Sequence, residues 1–151
     1  MLRRRTKAVA LLLLLFSVVM RAQQVTMMVL SDPHVMDTSL FDVPYGEAFM
    51  QAMQRDLKVN ESSAQLFDKF VGIVLKERPQ LLLVPGDLTK DGEKASHMYV
   101  AKRLAEIEAA GVQVLVVPGN HDMENPLAYG YHGNKAERVP SVSEKEFREI
   151  Y

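Results

Sequence analysis

Residues 80–94 read QLLLVPGDLTKDGEK, and this stretch decides the fold. It begins with a continuous apolar run, Gln80 to Val84, which predicts a buried strand. After the polar loop from Pro85 to Gly92, apolar residues recur at helical spacing from Glu93 to Ala110. A second apolar run, Val112 to Val117, predicts the next strand. The order strand, helix, strand is typical of two parallel strands in an α/β sheet.

The same pattern extends toward the N-terminus. Val25 to Leu30 is a short apolar run that predicts a further strand, and Ser31 to Tyr45 is loop-like in composition. Two helices are predicted between the first two strands, Gly46 to Lys58 and Ser62 to Arg78, and Pro79 ends the second. The sequence therefore predicts an α/β protein with a parallel β-α-β-α-β sheet, whose strands are covered on both faces.

The C-terminal part carries weaker signals. Pro118 to Pro140 is predicted to be a long irregular stretch, and Ser141 is predicted to start a helix with Glu144 in a capping box. No segment has the composition of a linker, so residues 23–151 are predicted to form one domain. The residues expected to face inward on the third helix are Met98, Ala101, Leu104, Ala105 and Ile107.

Residues 1–22 have the organisation of a secretory signal peptide. The basic segment Arg3 to Lys7 precedes an apolar run from Ala8 to Met20, and Ala22 is a small residue at a plausible cleavage point. The run is shorter than the ~20 apolar residues that span a bilayer, which favours a cleaved signal over a membrane anchor. The protein is therefore predicted to be exported to the periplasm or the extracellular space, without a stable membrane span.

The charge balance excludes some partners. The signal segment holds five of the 18 basic residues and none of the 19 acidic ones, so the mature chain carries 13 − 19 = −6. No basic patch remains that would suit nucleic acid. The chain has no cysteine, which excludes disulfides and thiolate zinc sites. A protein that handles phosphate with few cations of its own needs metal ions, and the available ligands suit hard or borderline ions.

Polar residues follow each predicted strand at the point where it ends. The three clusters are Asp32-Pro33-His34, Gly86-Asp87-Leu88-Thr89 and Gly119-Asn120-His121-Asp122. The carboxyl ends of parallel strands lie along one edge of the sheet, where open α/β folds bind ligands. We therefore expect these clusters to converge despite their separation in sequence.

The residue types in the clusters are those of a metal site. Asp and His bind divalent transition ions. In an extended segment, residues two apart point to the same side, so Asp32 and His34 are expected to chelate one ion. Gly86 and Gly119 allow the backbone to turn sharply before a ligand. Two ions ~3.5–4 Å apart need a bridging ligand, and Asp87 is the natural candidate.

These motifs resemble the calcineurin-like metallophosphoesterases. The pattern of that family is Asp-x-His, then Gly-Asp, then Gly-Asn-His-Asp or Glu, and it is matched here between residues 25 and about 122. The resemblance implies hydrolysis of phosphomonoesters or phosphodiesters of small molecules with two divalent ions, manganese, iron or zinc. It also implies the N-terminal part of a four-layer metallophosphoesterase fold, in which a second sheet packs against the first.

The resemblance also implies a role for each site residue. Assigned to the metals are Asp32 and His34 for the first ion, Asn120 for the second and Asp87 as the bridge between them. His121 is assigned to catalysis, where it contacts the substrate phosphate or protonates the leaving oxygen. Asp122 is assigned to orient His121 through a hydrogen bond.

The sequence also departs from the family pattern, which continues with a Gly-His and a Gly-His-x-His. Only His97 and His132 remain unassigned, in other contexts, so the chain is expected to be truncated at Tyr151, before the last metal ligands. The alternative is a non-catalytic fragment that binds metal weakly or not at all. His97 is expected to be structural or exposed, and a substrate role for His132 is not favoured.

A nucleotide-binding P-loop is the rival interpretation of the loop after the second strand. That motif needs four residues between its glycines and a lysine directly after the second. Here five residues separate Gly86 from Gly92, and Glu93 precedes Lys94. The P-loop is therefore rejected, and Asp91 is taken as an ordinary loop residue.

Overall fold

The computed structural model describes residues 24–56 and 58–151. The predicted signal peptide, residues 1–22, lies outside these residues, and so does Leu57 of the first predicted helix. Within the described ranges, no helix combines the length and the apolar character needed to cross a membrane. Export therefore stays a prediction.

Within residues 24–56 and 58–151, three parallel strands form the central sheet in the order β1-β2-β3. They are β1, Met27–Val29, β2, Leu81–Gly86, and β3, Gln113–Pro118. Met27 pairs with Leu81, and Leu81 pairs in turn with Gln113, so the strands end close together at their carboxyl edge. The predicted α/β fold with a parallel sheet is confirmed.

In the part of the chain that the structure describes, four helices accompany the sheet. They are α1, Glu47–Met53, α2, Asn60–Glu77, α3, Lys94–Ala109, and α4, Glu144–Ile150, with a 3-10 turn at Thr38–Leu40. Arg78 adopts a left-handed conformation with φ 46° and ends α2 directly before Pro79. The observed α1 is shorter than the predicted helix Gly46 to Lys58, and α2 begins two residues earlier than predicted.

Helices α2 and α3 cover one face of the sheet. Leu82 and Val84 of β2 are fully buried in a core that α2 and α3 close, whereas Met27 and Val117 on the outer strands are 54% and 59% exposed. Because the strand order runs in one direction and parallel crossovers are right-handed, both connecting helices fall on the same side. The prediction that both faces are covered is therefore wrong for the described residues.

The buried face of α3 differs from the predicted one. Met98 is 54% exposed, while His97 and Val100 are completely buried. Leu104 and Ile107 face the core as predicted. In the first turn of α3, the buried face therefore contains His97 and not the predicted Met98. The hydrophobic pattern missed this because histidine is polar and was not counted as a core residue.

A β-hairpin lies inside the stretch that was predicted to be irregular. Strands β4, Tyr129–His132, and β5, Lys135–Arg138, pair antiparallel across a two-residue turn in which Gly133 has φ 56°. The Gly-Asn pair at this turn is a hairpin signal, but the fully exposed β5 shows no alternation. The hairpin closes a second small core, which contains Met36, Leu40, Phe41, Phe49 and Tyr131.

The capping box of α4 forms two residues later than predicted. The Ser143 hydroxyl accepts from the Glu146 backbone N–H at 3.3 Å, and the Ser143 backbone N–H donates to Glu146 Oε2 at 2.9 Å. Ser141 instead pairs through its backbone with Glu93. This pairing keeps Ser141 extended, so the helix starts after it.

Candidate metal centre

Three side chains from the three strand ends meet at the carboxyl edge of the sheet. The Nε2 atoms of His34 and His121 lie 3.7 Å and 3.9 Å from Asp87 Oδ2. One ligand atom from each of the three residues lies within 4.8 Å of the other two. Two ligand atoms at ~2.1 Å from one ion are at most ~4.2 Å apart, so each His–Asp pair spans the distance that a shared ion needs.

Asp32 reaches this edge by a different backbone path from the predicted one. Asp32 and His34 have φ 52° and 44°, so both residues are left-handed and the predicted extended backbone is wrong, whereas their shared ion stays a prediction. Asp32 Oδ1 accepts the Asp87 backbone N–H at 3.1 Å, and the backbone N–H of His34 donates to the Asp87 carbonyl at 3.0 Å. Sparsely populated backbone conformations of this kind cluster at functional sites.

Two glycines make room for the carboxylates. A Cβ on Gly86 would lie 2.3 Å from Asp32 Oδ1, and a Cβ on Gly119 would lie 2.1 Å from Asp87 Oδ1. Both distances are far below van der Waals contact. The glycines before the predicted ligands therefore serve the close approach of the neighbouring loop, and at Gly86 also a turn with φ 92°.

The ionisation of the predicted ligands suits a divalent ion. Hydrogen bonds from the Ser31 hydroxyl and then from the Asp87 backbone N–H hold the pKa of Asp32 below its usual value. Burial, followed by the charge of Lys58, lowers the pKa of His34 and favours its neutral form. Ionised carboxylates and neutral imidazoles are the forms that bind metals.

His34 also carries an unsatisfied polar atom. Its Nδ1 is buried and has no hydrogen-bond partner among the described residues. A buried polar atom without a partner is rare and needs a physical explanation. With Nε2 directed toward Asp87, the ring has the orientation that a ligand needs, and a carboxylate beside an imidazole nitrogen fits a borderline divalent ion.

Asn120 is placed beside this cluster but is not held in it. It is exposed in the turn between Gly119 and His121. The backbone N–H of His121 donates to Asp87 Oδ1 at 2.8 Å, which fixes the turn against the central carboxylate. The structure thus brings the predicted second-metal ligand to the same edge of the sheet.

The partner of His121 is Asp91, not Asp122. His121 Nδ1 lies 2.9 Å from Asp91 Oδ1. Because an ionised carboxylate only accepts, the ring carries a proton on Nδ1, and Nε2 faces Asp87. Asp91 is buried and also contacts Lys90 Nζ. The sequence signal for this residue was a second carboxylate in the same loop, four residues after Asp87.

Asp122 has a different task from the predicted one. Its carboxylate is completely buried and accepts from the backbone N–H groups of Leu88, Thr89 and Gly119 at 3.0, 2.9 and 2.9 Å. It also accepts the Thr89 hydroxyl at 2.8 Å. These bonds join the loop after β2 to the loop after β3. Asp122 therefore positions both ligand loops and does not contact the His121 ring.

The two remaining histidines lie outside the cluster. His97 is completely buried; its Nε2 donates to the Asp122 carbonyl at 2.8 Å, and its Nδ1 lies 3.0 Å from the Tyr151 hydroxyl. Of the two expectations for His97, structural or exposed, the structural one is confirmed. His132 lies in the hairpin, where its Nδ1 is 2.8 Å from Asp42 Oδ1.

The buried ring of His97 predicts a loss of stability in mild acid. Desolvation lowers its pKa below the ordinary value of 6.5, although the hydrogen bond to Asp122 opposes this effect. As the pH is lowered below about 6.5, the unfolded chain therefore binds a proton at His97 before the folded chain does. The free energy of unfolding decreases as the pH decreases. The urea midpoint should drop between about pH 7 and 5.5, and His97→Gln should reduce that drop, whereas His132→Gln should not. An equal drop in all three proteins would contradict this expectation.

Comparison with known proteins agrees with this geometry. A family model described as "Calcineurin-like phosphoesterase" matches residues 25–149, which include all three strand-end clusters. No curated protein matches the chain significantly. The match confirms the resemblance that the motifs indicated.

Proposed function

We propose that this chain, which belongs to the calcineurin-like phosphoesterase family, hydrolyses phosphate esters of small molecules at a centre of two divalent ions. The observation that carries the proposal is the convergence of His34, Asp87 and His121 from three separate strand ends. Family membership supports the reaction class, and this cluster supports the metal dependence.

The proposed ligands divide between two ions. In this assignment Asp32 and His34 would hold the first ion, Asn120 would hold the second, and Asp87 would be shared by both. Nitrogen and oxygen ligands of this kind suit manganese, iron or zinc. The ions, when bound, supply positive charge for the phosphoryl oxygens and lower the pKa of water.

The residues of the chain then act on orientation and on the proton. In the protonated form His121 donates its Nε2 proton to the leaving oxygen, while Asp91 accepts the hydrogen bond from Nδ1–H and stabilises the imidazolium before the transfer. Asp122 keeps the two loops in register. The side chain of Asp87 is 10% exposed, so the central carboxylate is shielded from bulk water.

The direct test is metal analysis of the purified chain together with hydrolysis of p-nitrophenyl phosphate and bis(p-nitrophenyl) phosphate in manganese, iron or zinc. We expect turnover that a chelator removes and that added metal restores. Asp42→Asn is the control variant and should keep both metal and turnover, because Asp42 is not a predicted ligand and bonds to His132 and Gly133. Absence of both bound metal and turnover would support the non-catalytic alternative.

Asp91→Asn is expected to slow hydrolysis by about 10- to 100-fold while metal content is retained. Substitution of a group that orients an active histidine typically has an effect of this size. The amide can still accept from His121 Nδ1 but carries no charge to stabilise the imidazolium. The measurement is kcat beside metal content, and loss of metal in this variant would assign Asp91 to the metal centre itself.

Export is part of the proposal and rests on residues 1–22. A basic segment followed by a short apolar run is the signal that the secretion machinery removes. N-terminal sequencing of exported material should begin near Gln23. Recovery of the chain from the cytoplasm with Met1 intact would contradict export and leave the proposed chemistry unaffected.

A further inference from the structure

A pocket of about 280 Å³ opens beside the candidate metal centre, between the segment after β1 and the first turns of α2. Asp32 and His34 form part of its wall. Pockets that hold a whole small ligand measure roughly 300–1,000 Å³. This pocket therefore has room for one chemical group of a substrate whose phosphate lies at the predicted ligands.

The rest of the wall is mainly apolar. Leu66, Phe67 and Phe70 of α2 line it. The Ser63 hydroxyl, which also lies there, is already engaged, because it donates to the Asn60 carbonyl at 2.8 Å and accepts the Met36 N–H at 2.9 Å. Asn60 Oδ1 has no partner among the described residues, but it is itself buried, so a sugar or a nucleobase would lose its hydrogen bonds to water in this pocket and gain few in return.

Among the described residues, Lys58 is the one cation that lines this wall. It lies close enough to Asp32 and His34 for its charge to act on both side chains. The pocket thus combines an apolar wall with a positive charge near the predicted ligands. That combination complements an ester in which an anionic phosphate is joined to an apolar group.

We propose that this pocket binds the alcohol or phenol portion of the substrate, so that the enzyme acts on phosphate esters of a small apolar, phenyl-sized group. The inference rests on the proposed function, because the phosphate must lie at the metal centre for the ester group to reach the pocket. Full burial of a phenyl-sized group is worth about 10- to 100-fold in affinity.

The test compares two non-hydrolysable probes, phenylphosphonate and methylphosphonate, on the full chain with manganese. Calorimetry should give phenylphosphonate the tighter binding by about 10- to 100-fold. Methylphosphonate reports the metal centre alone, so binding of both probes with equal affinity overturns the pocket and leaves the proposed function standing. If neither probe binds, both proposals fall.

Substitution of Leu66 locates the effect. Leu66 lines the pocket yet is 53% exposed, so Leu66→Asn should fold normally. It should reduce the preference for phenylphosphonate to within about threefold without weakening methylphosphonate, since the polar amide disfavours an apolar group. Ile73→Asn is the control, because Ile73 is 51% exposed on the same helix and lies outside the pocket. An unchanged preference in Leu66→Asn, or an equal loss in both variants, would overturn the proposal.

Discussion

Asp87→Asn is expected to abolish tight divalent-metal binding and hydrolysis together. The Asp87 carboxylate is the atom group that both imidazoles face, at 3.7 Å and 3.9 Å. Removal of its charge weakens the binding of every ion that it would hold. We expect metal affinity to fall by more than about 100-fold, the upper end of what outer-shell substitutions typically cost. Isothermal titration with manganese and zinc, beside hydrolysis assays, measures both effects.

The control for this experiment must separate metal loss from misfolding. Asp87 Oδ1 accepts the His121 backbone N–H, and an amide turned the wrong way would place a donor there. Thermal unfolding of Asp87→Asn should therefore be compared with that of Asp42→Asn, a carboxylate on the hairpin side. A folded Asp87→Asn protein that keeps two ions and full activity would refute the bridging role.

The sheet could be predicted because its signals are local and mutually consistent. Three apolar runs separated by amphipathic helices allow few arrangements, and the carboxyl edge follows from parallel pairing. The hairpin at residues 129–138 could not be predicted from alternation, since all four residues of β5 are exposed. The burial of His97 depends on partners as distant as Tyr151, which lies 54 residues away in sequence.

The site could be predicted as a set of residues but not as a set of contacts. The motifs place Asp32, Asp87 and His121 at one edge, and the structure agrees. Which carboxylate pairs with His121 depends on how two loops fold over each other. Asp122 follows His121 directly, yet it is taken up by backbone N–H groups, and Asp91 reaches the ring instead.

The pairing with Asp91 bears on whether His121 is a ligand or an acid. The hydrogen bond from Nδ1 to Asp91 fixes the ring orientation and leaves Nε2 for the chemistry, and both roles use that atom. The two roles differ in the step that needs the His121 ring, which is metal binding for a ligand and protonation of the leaving oxygen for an acid. A ligand holds the ion before any substrate arrives, whereas an acid is needed only when the leaving oxygen takes up a proton.

His121→Ala is therefore expected to retain the metals and to slow hydrolysis by about 10²- to 10⁴-fold, the usual contribution of general acid–base catalysis. The ring is 28% exposed, so its removal should leave the fold intact. An ester with a good leaving group, p-nitrophenyl phosphate, should lose less activity than phenyl phosphate, because its leaving oxygen needs the proton less. His132→Ala in the hairpin is the matched control. Loss of bound metal from His121→Ala, with the same fall in rate for both esters, would instead make His121 a ligand of the centre.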